Sequence, residues 1–189
     1  MLKKENFFLN YFKDFSNLLV LNNKIINNLS IVKKKFRELK LNNKKILIFG
    51  NGGSASIASH FSTDITKLSK IKCVNFNEAN LITCFANDYG YENWASRSVD
   101  FYGEKGDILI VISSSGRSKN IINACKAAKR KKFSSIITFS GFKKNNPVSK
   151  LGNINFWINS EIYNFVENMH QILLLSIVDS LNKKNFISK

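Results

Sequence analysis

The sequence is poor in the residues that build secreted, zinc-knuckle or membrane-spanning proteins. Its 189 residues include one proline, three cysteines and two histidines. Cys73, Cys84 and Cys125 are odd in number and far apart, which argues against a disulfide framework or a zinc knuckle and indicates free thiols in a reducing cytoplasm. No apolar run approaches the roughly 20 residues that span a bilayer, and no small-residue cleavage site follows the N-terminal lysines. We therefore expect one cytoplasmic domain without a signal peptide.

Acidic residues are also scarce. Against 29 lysines and arginines there are 13 aspartates and glutamates, and the formal net charge is +16. Such a charge suits a nucleic-acid partner, but there is no basic strand interleaved with aromatic residues and no helix-turn-helix pattern. The lysines are scattered over solvated faces and helix ends. Nucleic acid is therefore not an expected partner.

Two loops rich in glycine and serine are the most informative feature that is present. Asn51–Ser56 follows the apolar run Ile46–Phe49, and Ser113–Ser118 follows the apolar run Ile108–Ile112. A strand that ends in such a loop and continues as a helix directs backbone N–H groups and hydroxyls into one space, where they bind phosphate. Neither loop matches G-x-x-x-x-G-K-[ST] or G-x-G-x-x-G. We expect a phosphorylated ligand smaller than a nucleotide, and no nucleotide cofactor.

The order of elements predicts an α/β fold. Residues from about 5 to 40 lack glycine and proline and have apolar positions at helical spacing, so one or two long helices are expected, packed on another subunit. Apolar strands then alternate with helices, which predicts a three-layer αβα sandwich with a five-stranded, parallel, doubly wound sheet. The chain is interpreted as a single domain, with residues 1–42 as a helical extension and 43–189 as the ligand-binding core. The predicted strands are 45–49, 71–75, 107–112, 134–139 and 154–158, and the predicted helices are 54–68, 78–87, 92–101, 119–131 and 162–181.

Both loops lie where ligands bind in such sheets, beyond the carboxyl ends of the strands. In the second loop Gly116 permits close approach, and the hydroxyls of Ser113, Ser115 and Ser118 are candidate phosphate donors. In the first loop the glycines of Asn51-Gly52-Gly53-Ser54 let the backbone pass close to a ligand. Each loop is also interpretable as a simple turn into a helix, with Ser54 or Ser56 near the helix N-cap.

Both histidines have a carboxylate within one helical turn. His60 and Asp64 are four apart, and Glu167 and His170 are three apart. Such pairs serve as acid–base partners or metal ligands, or simply as hydrogen-bonded pairs on a helix surface. The segment Asn87–Gly90 suits a helix C-cap as well as a substrate contact.

Taken together, the motifs resemble those of the SIS (sugar isomerase) domain family, and within it the phosphoheptose isomerases. The resemblance implies a homotetramer built partly by N-terminal helices, with sites lined by more than one subunit. It implies conversion of sedoheptulose 7-phosphate to an aldose phosphate through an enediol, for heptose in lipopolysaccharide or capsule. The carrying motifs, in chain order, are Gly50-Asn51-Gly52-Gly53-Ser54-Ala55, His60-Phe61 with Asp64, Ala86-Asn87-Asp88-Tyr89-Gly90-Tyr91, Ser113-Ser114-Ser115-Gly116-Arg117-Ser118-Lys119-Asn120 and Val166-Glu167-Asn168-Met169-His170.

The resemblance also assigns site residues. Substrate contacts fall on the first loop and the Asn87–Gly90 segment, and the phosphate contacts fall on the second loop. The resulting binding set is Asn51, Gly52, Gly53, Ser54, Asn87, Asp88, Ser113, Ser114, Ser115 and Ser118.

The family surrounds a zinc ion with a His and a Glu on the first helix and a Gln and a His on the last. In this chain the corresponding residues are His60, Asp64, Glu167 and Leu175. Leu175 neither ligates a metal nor transfers a proton, which leaves His60, Asp64 and Glu167 as candidate zinc ligands, with water filling the gap.

The expected function is that of an aldose–ketose isomerase, an intramolecular oxidoreductase acting on a phosphosugar. Its base is expected to be Asp64 or Glu167, and its acid His60 or His170. Because Leu175 stands where the family has a histidine, a different class of function stays open. It is a non-catalytic SIS protein that serves as a sugar-phosphate sensor or as an oligomeric scaffold.

Overall fold

The computed structural model of the chain describes residues 6–182, so both ends of the predicted single domain lie outside the described residues. The described part contains seven helices and five strands. In chain order they are α1 (Phe7–Leu18), α2 (Asn23–Leu41), β1 (Ile46–Phe49), α3 (Gly53–Ser69), β2 (Cys73–Asn75), α4 (Ala79–Tyr89), α5 (Trp94–Tyr102), β3 (Ile108–Ile112), α6 (Lys119–Arg130), β4 (Ser135–Ser140), β5 (Ile154–Trp157) and α7 (Tyr163–Leu181).

The five strands form one parallel sheet in the order β2-β1-β3-β4-β5. The chain leaves β1 outward to β2 and then returns past β1 to β3, so the strand order reverses between β1 and β3. Ligands of doubly wound sheets bind at this reversal. Both predicted loops begin there, directly after β1 and β3. The predicted fold class is confirmed.

Each face of the sheet carries its own apolar core because successive strand residues point to opposite faces. Ile46 and Ile48 of β1 belong to the core beneath α2, α3 and α7. Leu47 and Phe49 belong to the core beneath α5 and α6. All residues of β1, β3 and β4 are buried, as expected for strands covered on both faces.

The two N-terminal helices differ in how they are covered. Val32, Phe36 and Leu39 of α2, spaced for one helix face, are buried in the core of their own chain, so the expectation that another subunit covers this helix is wrong for that face. Helix α1 has no buried residue. Its side chains Phe7, Phe8, Leu9 and Phe12 are each about two thirds exposed.

The predicted α/β elements begin and end within two residues of the observed ones. One local prediction is wrong: neither Ser54 nor Ser56 caps α3. The N-cap is Gly52, with φ +55° and no side-chain hydrogen bond, because the backbone turns there through a conformation that disfavours side chains. The C-cap predicted at the end of α4 is present at Gly90. Among the residues that the structure describes, no helix is long and apolar enough to cross a membrane.

Candidate functional site

A cavity of about 120 Å³ lies at the carboxyl ends of β1 and β3, at the strand-order reversal. It is formed by the two predicted loops together with the start of α7. Its lining residues are Asn51, Ser54, Ile112, Ser113, Ser114, Ser115, Ser118, Tyr163 and Glu167. Six of the binding residues expected from the sequence therefore share one space with Glu167.

The loop after β3, Ser113–Ser118, is held tightly by its own backbone. The N–H of Gly116 donates to the Ser113 carbonyl at 2.8 Å, and the N–H of Val148 donates to the Gly116 carbonyl at 3.1 Å. Gly116 has φ +66°, and a Cβ there would collide with the Asn146 side chain. Glycine is therefore required at this position. The rigid turn gathers the loop's hydroxyls on the cavity.

One of these hydroxyls has no partner. Ser114 is 5% exposed, and within residues 6–182 its Oγ makes no hydrogen bond. Its carbonyl accepts from the N–H of Gly141 at 2.8 Å, which fixes the residue in place. A buried hydroxyl without a partner is costly unless a ligand or water satisfies it. Because Ser114 lines the cavity, its hydroxyl is available to a bound anion.

Asn51, at the end of β1, joins the two loops. Its Nδ2 donates to Oδ1 of Asn120 at 3.1 Å, and Nδ2 of Asn120 donates to Oδ1 of Asn51 at 2.9 Å. The hydroxyl of Tyr91 also donates to Oδ1 of Asn51, at 3.4 Å. The amide of Asn51, expected to bind a sugar hydroxyl, is thus engaged in building the cavity wall. Sequence reasoning gave Asn120 no role, although an asparagine on the buried stripe of α6 is a polar exception that could have marked it.

Two helix N-termini stand behind the loops. Helix α3 begins at Gly53 and α6 begins at Lys119, and in neither helix does the side chain of the N-cap residue accept a hydrogen bond from the first N–H groups. In α3 the N–H groups of Ser54 and Ala55 donate to the carbonyls of Asn51 and Gly52. First N–H groups without such partners need external acceptors, and the dipole of either helix favours an anion at its N-terminus. Among residues 6–182, no lysine or arginine lines the cavity. Dipoles and hydroxyls must therefore supply its affinity for a phosphate group.

Glu167 is the charged residue of the cavity wall. Its carboxylate lies directly against Gly53, where a Cβ would collide with Oε2. Within the described part of the chain it has neither an ion pair nor a hydrogen bond. Partial burial raises the pKa of this carboxyl above its ordinary value. A carboxylate with free lone pairs and a raised pKa, beside a ligand cavity, is suited to take a proton from a substrate and return it.

His60 and Asp64 form a separate pair on α3. His60 Nε2 lies 3.2 Å from Asp64 Oδ2, and the side chains are 48% and 32% exposed. Gln171 Nε2 lies 3.3 Å from His60 Nδ1. With Asp64 as acceptor, the neutral ring carries its proton on Nε2 and accepts from Gln171 through Nδ1. Sequence reasoning missed Gln171, whose position four residues after Glu167 places both side chains on one face of α7.

The predicted zinc ligands are not assembled in one chain. Glu167 lies against Gly53, whereas the residue of α7 that contacts His60 is Gln171. Across residues 6–182, no three side chains of histidine, cysteine, aspartate or glutamate lie together in a metal-binding group. Of the three predicted zinc ligands, His60 and Asp64 lie together, and the side chain of α7 beside them is Gln171.

His170 does not face the cavity, which corrects its expected role as an acid. Its ring is fully buried, packs edge-on against Phe139, and contacts the Ser140 carbonyl through Nε2 at 3.2 Å. Burial lowers the pKa of His170 to about 4. Gly141, which follows Ser140, donates its N–H to the Ser114 carbonyl. Through Ser140 and Gly141, His170 therefore supports the Ser113–Ser118 loop, called here the serine loop.

The remaining predicted residues do not line the cavity. Asn87 and Asp88 are exposed on α4, where Nδ2 of Asn87 donates to Oδ1 of Asp88 at 3.0 Å. Gly52 and Gly53 are exposed in the turn above it, and Leu175 is half-buried on α7 beyond Gln171. The structure of one chain therefore does not bring Asn87 and Asp88 to the serine loop.

Comparison with known proteins agrees with this geometry. Residues 10–140 match the model of the SIS domain. The phosphoheptose isomerase of Fusobacterium nucleatum is 32% identical over 82% of this chain and 81% of its own length.

A phosphoheptose isomerase of Helicobacter pylori is 47% identical over 94 residues, which span about half of each chain (47% and 49%). The solved phosphoheptose isomerase of Neisseria gonorrhoeae superposes with a TM-score of 0.81 at 24% identity, over 92% of this chain and 96% of that one. The enzyme from Francisella tularensis gives 0.83 at 23% identity, over 94% and 97%. At such identities the structures establish a shared fold.

Proposed function

Because this chain belongs to the SIS domain family and, within it, to the phosphoheptose isomerases, we propose that it interconverts sedoheptulose 7-phosphate and the corresponding aldose phosphate. One observation carries the proposal. Hydroxyls and uncapped helix N-termini surround a small cavity whose charged wall residue is an unpaired carboxylate, Glu167. That arrangement combines a phosphate holder with a base.

The phosphate group is held by the serine loop. The hydroxyls of Ser113, Ser114, Ser115 and Ser118 donate to its oxygens, and the N-terminus of α6 faces its negative charge. The Asn51–Asn120 amide pair fixes the opposite wall relative to this loop. A phosphate held in this way positions the carbonyl end of the sugar, which is the orientation that an intramolecular proton transfer requires.

Glu167 moves the carbon-bound proton. Its carboxylate removes a proton from the carbon beside the ketose carbonyl, and the released electron pair forms the carbon–carbon double bond of an enediol while the carbonyl oxygen takes a proton. The carboxyl then returns its proton to the former carbonyl carbon as the neighbouring hydroxyl loses one, which leaves an aldehyde. Because the pKa of Glu167 is raised, its carboxyl group both accepts the carbon-bound proton and returns it more readily near neutral pH.

The oxygen-bound protons need a second group. His60 is the histidine that is exposed, and Asp64 holds its ring, so His60 is the proposed acid. Tyr163, four residues before Glu167 on α7, also lines the cavity, and its hydroxyl is a second candidate acid. His60 and Tyr163 can each be substituted without changing a residue of the serine loop.

The uncovered face of α1 supports an oligomer as part of the same proposal. Four large apolar side chains, Phe7, Phe8, Leu9 and Phe12, remain about two thirds exposed on one helix. Contiguous apolar surface of this kind marks interaction sites. We expect a homotetramer in which N-terminal helices of neighbouring copies cover each other, and light scattering of the purified protein should give four times the 21.5 kDa chain mass.

Incubation with sedoheptulose 7-phosphate in heavy water tests the activity. Nuclear magnetic resonance should show deuterium at the carbon beside the carbonyl, together with the aldose product. The matched control is Ser115→Ala with Ser118→Ala, which should weaken substrate binding without removing the base. Absence of exchange with every ketose phosphate of five to seven carbons, with and without added zinc, would contradict the proposal.

A non-catalytic protein that senses sugar phosphate or acts as a scaffold is the second candidate. Leu175 and the buried His170 favour it, since neither supplies the second histidine of a catalytic pair. Its expected result is binding of the sugar phosphate, seen by calorimetry, without deuterium exchange. Binding accompanied by exchange would exclude it.

A further inference from the structure

A second cleft, of about 350 Å³, shares no lining residue with the cavity at the serine loop. It is enclosed by the start of α2, the segment between β4 and β5, and the edge strand β5, and is called here the Trp157 cleft. Its volume falls at the lower end of the range for pockets that hold small molecules. Its lining residues are Asn22, Lys24, Ile25, Lys144, Asn145, Ser149, Lys150, Asn155 and Trp157.

The charge of the Trp157 cleft is of one sign. Lys24, Lys144 and Lys150 line it, and no acidic residue of the described part of the chain does. None of these three ammonium groups has an ion pair within the described part of the chain. A polar cleft between α5 and α6 differs because Asp100 there binds Arg97 and Arg130 at 3.7 and 3.4 Å. Three unpaired cations in a concave site attract a multiply charged anion.

The wall of the cleft also offers an oriented aromatic face. The indole N–H of Trp157 donates to the Phe142 carbonyl at 3.1 Å, which fixes the ring. The ammonium of Lys144 lies 5.7 Å from the ring centroid, within the range of a cation–π contact. A half-buried indole beside lysines suits a flat base that carries phosphates, because the base stacks on the ring while the phosphates reach the cations. The side-chain amides of Asn22 and Asn145 also line the cleft, and because Oδ1 of Asn22 accepts from the Ile25 N–H at 3.0 Å, Asn22 offers its Nδ2 to a base edge.

We propose that the Trp157 cleft binds a free nucleoside polyphosphate, with the base on Trp157 and the phosphate chain on Lys24, Lys144 and Lys150. The site is lined by other residues than the serine-loop cavity, although Val148 of its segment donates to the Gly116 carbonyl, and it does not depend on isomerase activity. The small volume of the cleft favours a single nucleotide over a strand of nucleic acid, which would need a continuous groove.

Tryptophan fluorescence gives a direct readout. The chain has two tryptophans, and Trp94 is 1% exposed, so quenching by a ligand reports on Trp157. Titration of the full chain with ADP should quench the emission and saturate, and Trp157→Phe should abolish the ligand-dependent part of the signal. Inorganic tripolyphosphate and glucose 6-phosphate, which lack a base, should bind at least about tenfold more weakly than ADP in calorimetry.

Charge-matched variants separate this site from the general positive charge. Lys24→Gln with Lys150→Gln should weaken ADP binding at least tenfold, whereas Lys67→Gln with Lys129→Gln, on the exposed faces of α3 and α6, should change it less than twofold. Equal losses in the two pairs, equal affinity for tripolyphosphate, tighter binding of an oligothymidylate than of ADP, or no saturable binding by wild-type protein would each overturn the proposal. Circular dichroism of every variant establishes that it is folded.

Discussion

The two histidines occupy opposite environments although their local sequences are alike. Each has a carboxylate within one helical turn, but His60 is half-exposed on α3 beside Asp64, whereas His170 is completely buried on α7 and turned away from Glu167. In the second pair it is the carboxylate that reaches the cavity. A spacing of three or four residues therefore indicates that two side chains are neighbours, but does not tell which of them meets solvent.

The largest expected effect is on the isomerisation rate, and it tells whether Glu167 or Asp64 is the base. Glu167→Gln keeps the size of the side chain but removes its proton affinity, so isomerisation should fall at least about 100-fold, within the range for loss of a positioned base. Asp64→Asn, its matched partner on α3, should cost less than about tenfold because Asp64 acts through His60. The measurement is kcat in a coupled or magnetic-resonance assay. A larger loss for Asp64→Asn would place the base in the other pair.

The second effect is on stability and belongs to His170. Its pKa is lowered to about 4 in the folded chain, whereas an unfolded histidine titrates near 6.5. Between these values the unfolded chain binds a proton that the folded chain does not, so the free energy of unfolding falls as the pH drops from about 6.5 to about 4, and this contribution is constant above that window. The expected loss is about 3 kcal/mol, at 1.36 kcal/mol for each unit of pKa difference.

Urea unfolding across this pH window measures the loss. Because other carboxyls titrate there as well, the comparison is with His170→Gln, which still donates to the Ser140 carbonyl but does not titrate. The wild-type protein should lose more stability than this variant, and His60→Gln should behave like the wild type. Identical pH profiles for wild type and His170→Gln would show that the burial has no such consequence.

A smaller effect examines the position of Glu167 without changing it. Gly53→Ala adds a Cβ at a place where it would meet the Glu167 carboxylate, the end of a flexible side chain. The carboxylate must move, so kcat should fall about tenfold, or 1.4 kcal/mol. Stability should change little, since alanine suits the first turn of a helix. Unchanged kcat would mean that the observed position of Glu167 is not the reacting one.

The smallest effect is expected at His60. Its side chain is 48% exposed and its contacts with Asp64 and Gln171 lie at the surface, and exposed pairs of this kind contribute little. His60→Ala should change the free energy of unfolding by less than about 0.5 kcal/mol, in contrast to His170. A loss comparable to that of a buried residue would remove the distinction between the two pairs.

Most of the fold followed from local pattern. The apolar runs of β1 and β3 and the glycine- and serine-rich segments after them predicted both the parallel sheet and the location of the cavity, because strand ends in a parallel sheet share an edge. The same pattern could not place α2. The apolar stripe of Val32, Phe36 and Leu39 indicates that this face of α2 is buried. It does not tell whether the chain's own core or a neighbouring subunit buries it, because both produce the same apolar periodicity.

The site was predicted less completely because its details depend on contacts between distant segments. The Asn51–Asn120 pair joins residues 69 positions apart, and the contact of Gln171 with His60 joins residues 111 apart. The burial of His170 depends on how α7 is rotated against β4. None of these contacts can be predicted from the neighbouring sequence, in which the one visible sign is a polar residue on an apolar helix face.

The Asn51–Asn120 amide pair has a consequence for the order of folding. The two residues meet only after β1 and β3 have become neighbours in the sheet, a step that must also bring α3 and α6 to the same edge. A partly folded chain that lacks this strand pairing has only isolated turns in place of the cavity. A sugar phosphate that binds the cavity therefore adds its binding free energy to the native state alone, and raising its concentration should shift the unfolding midpoint as the logarithm of that concentration.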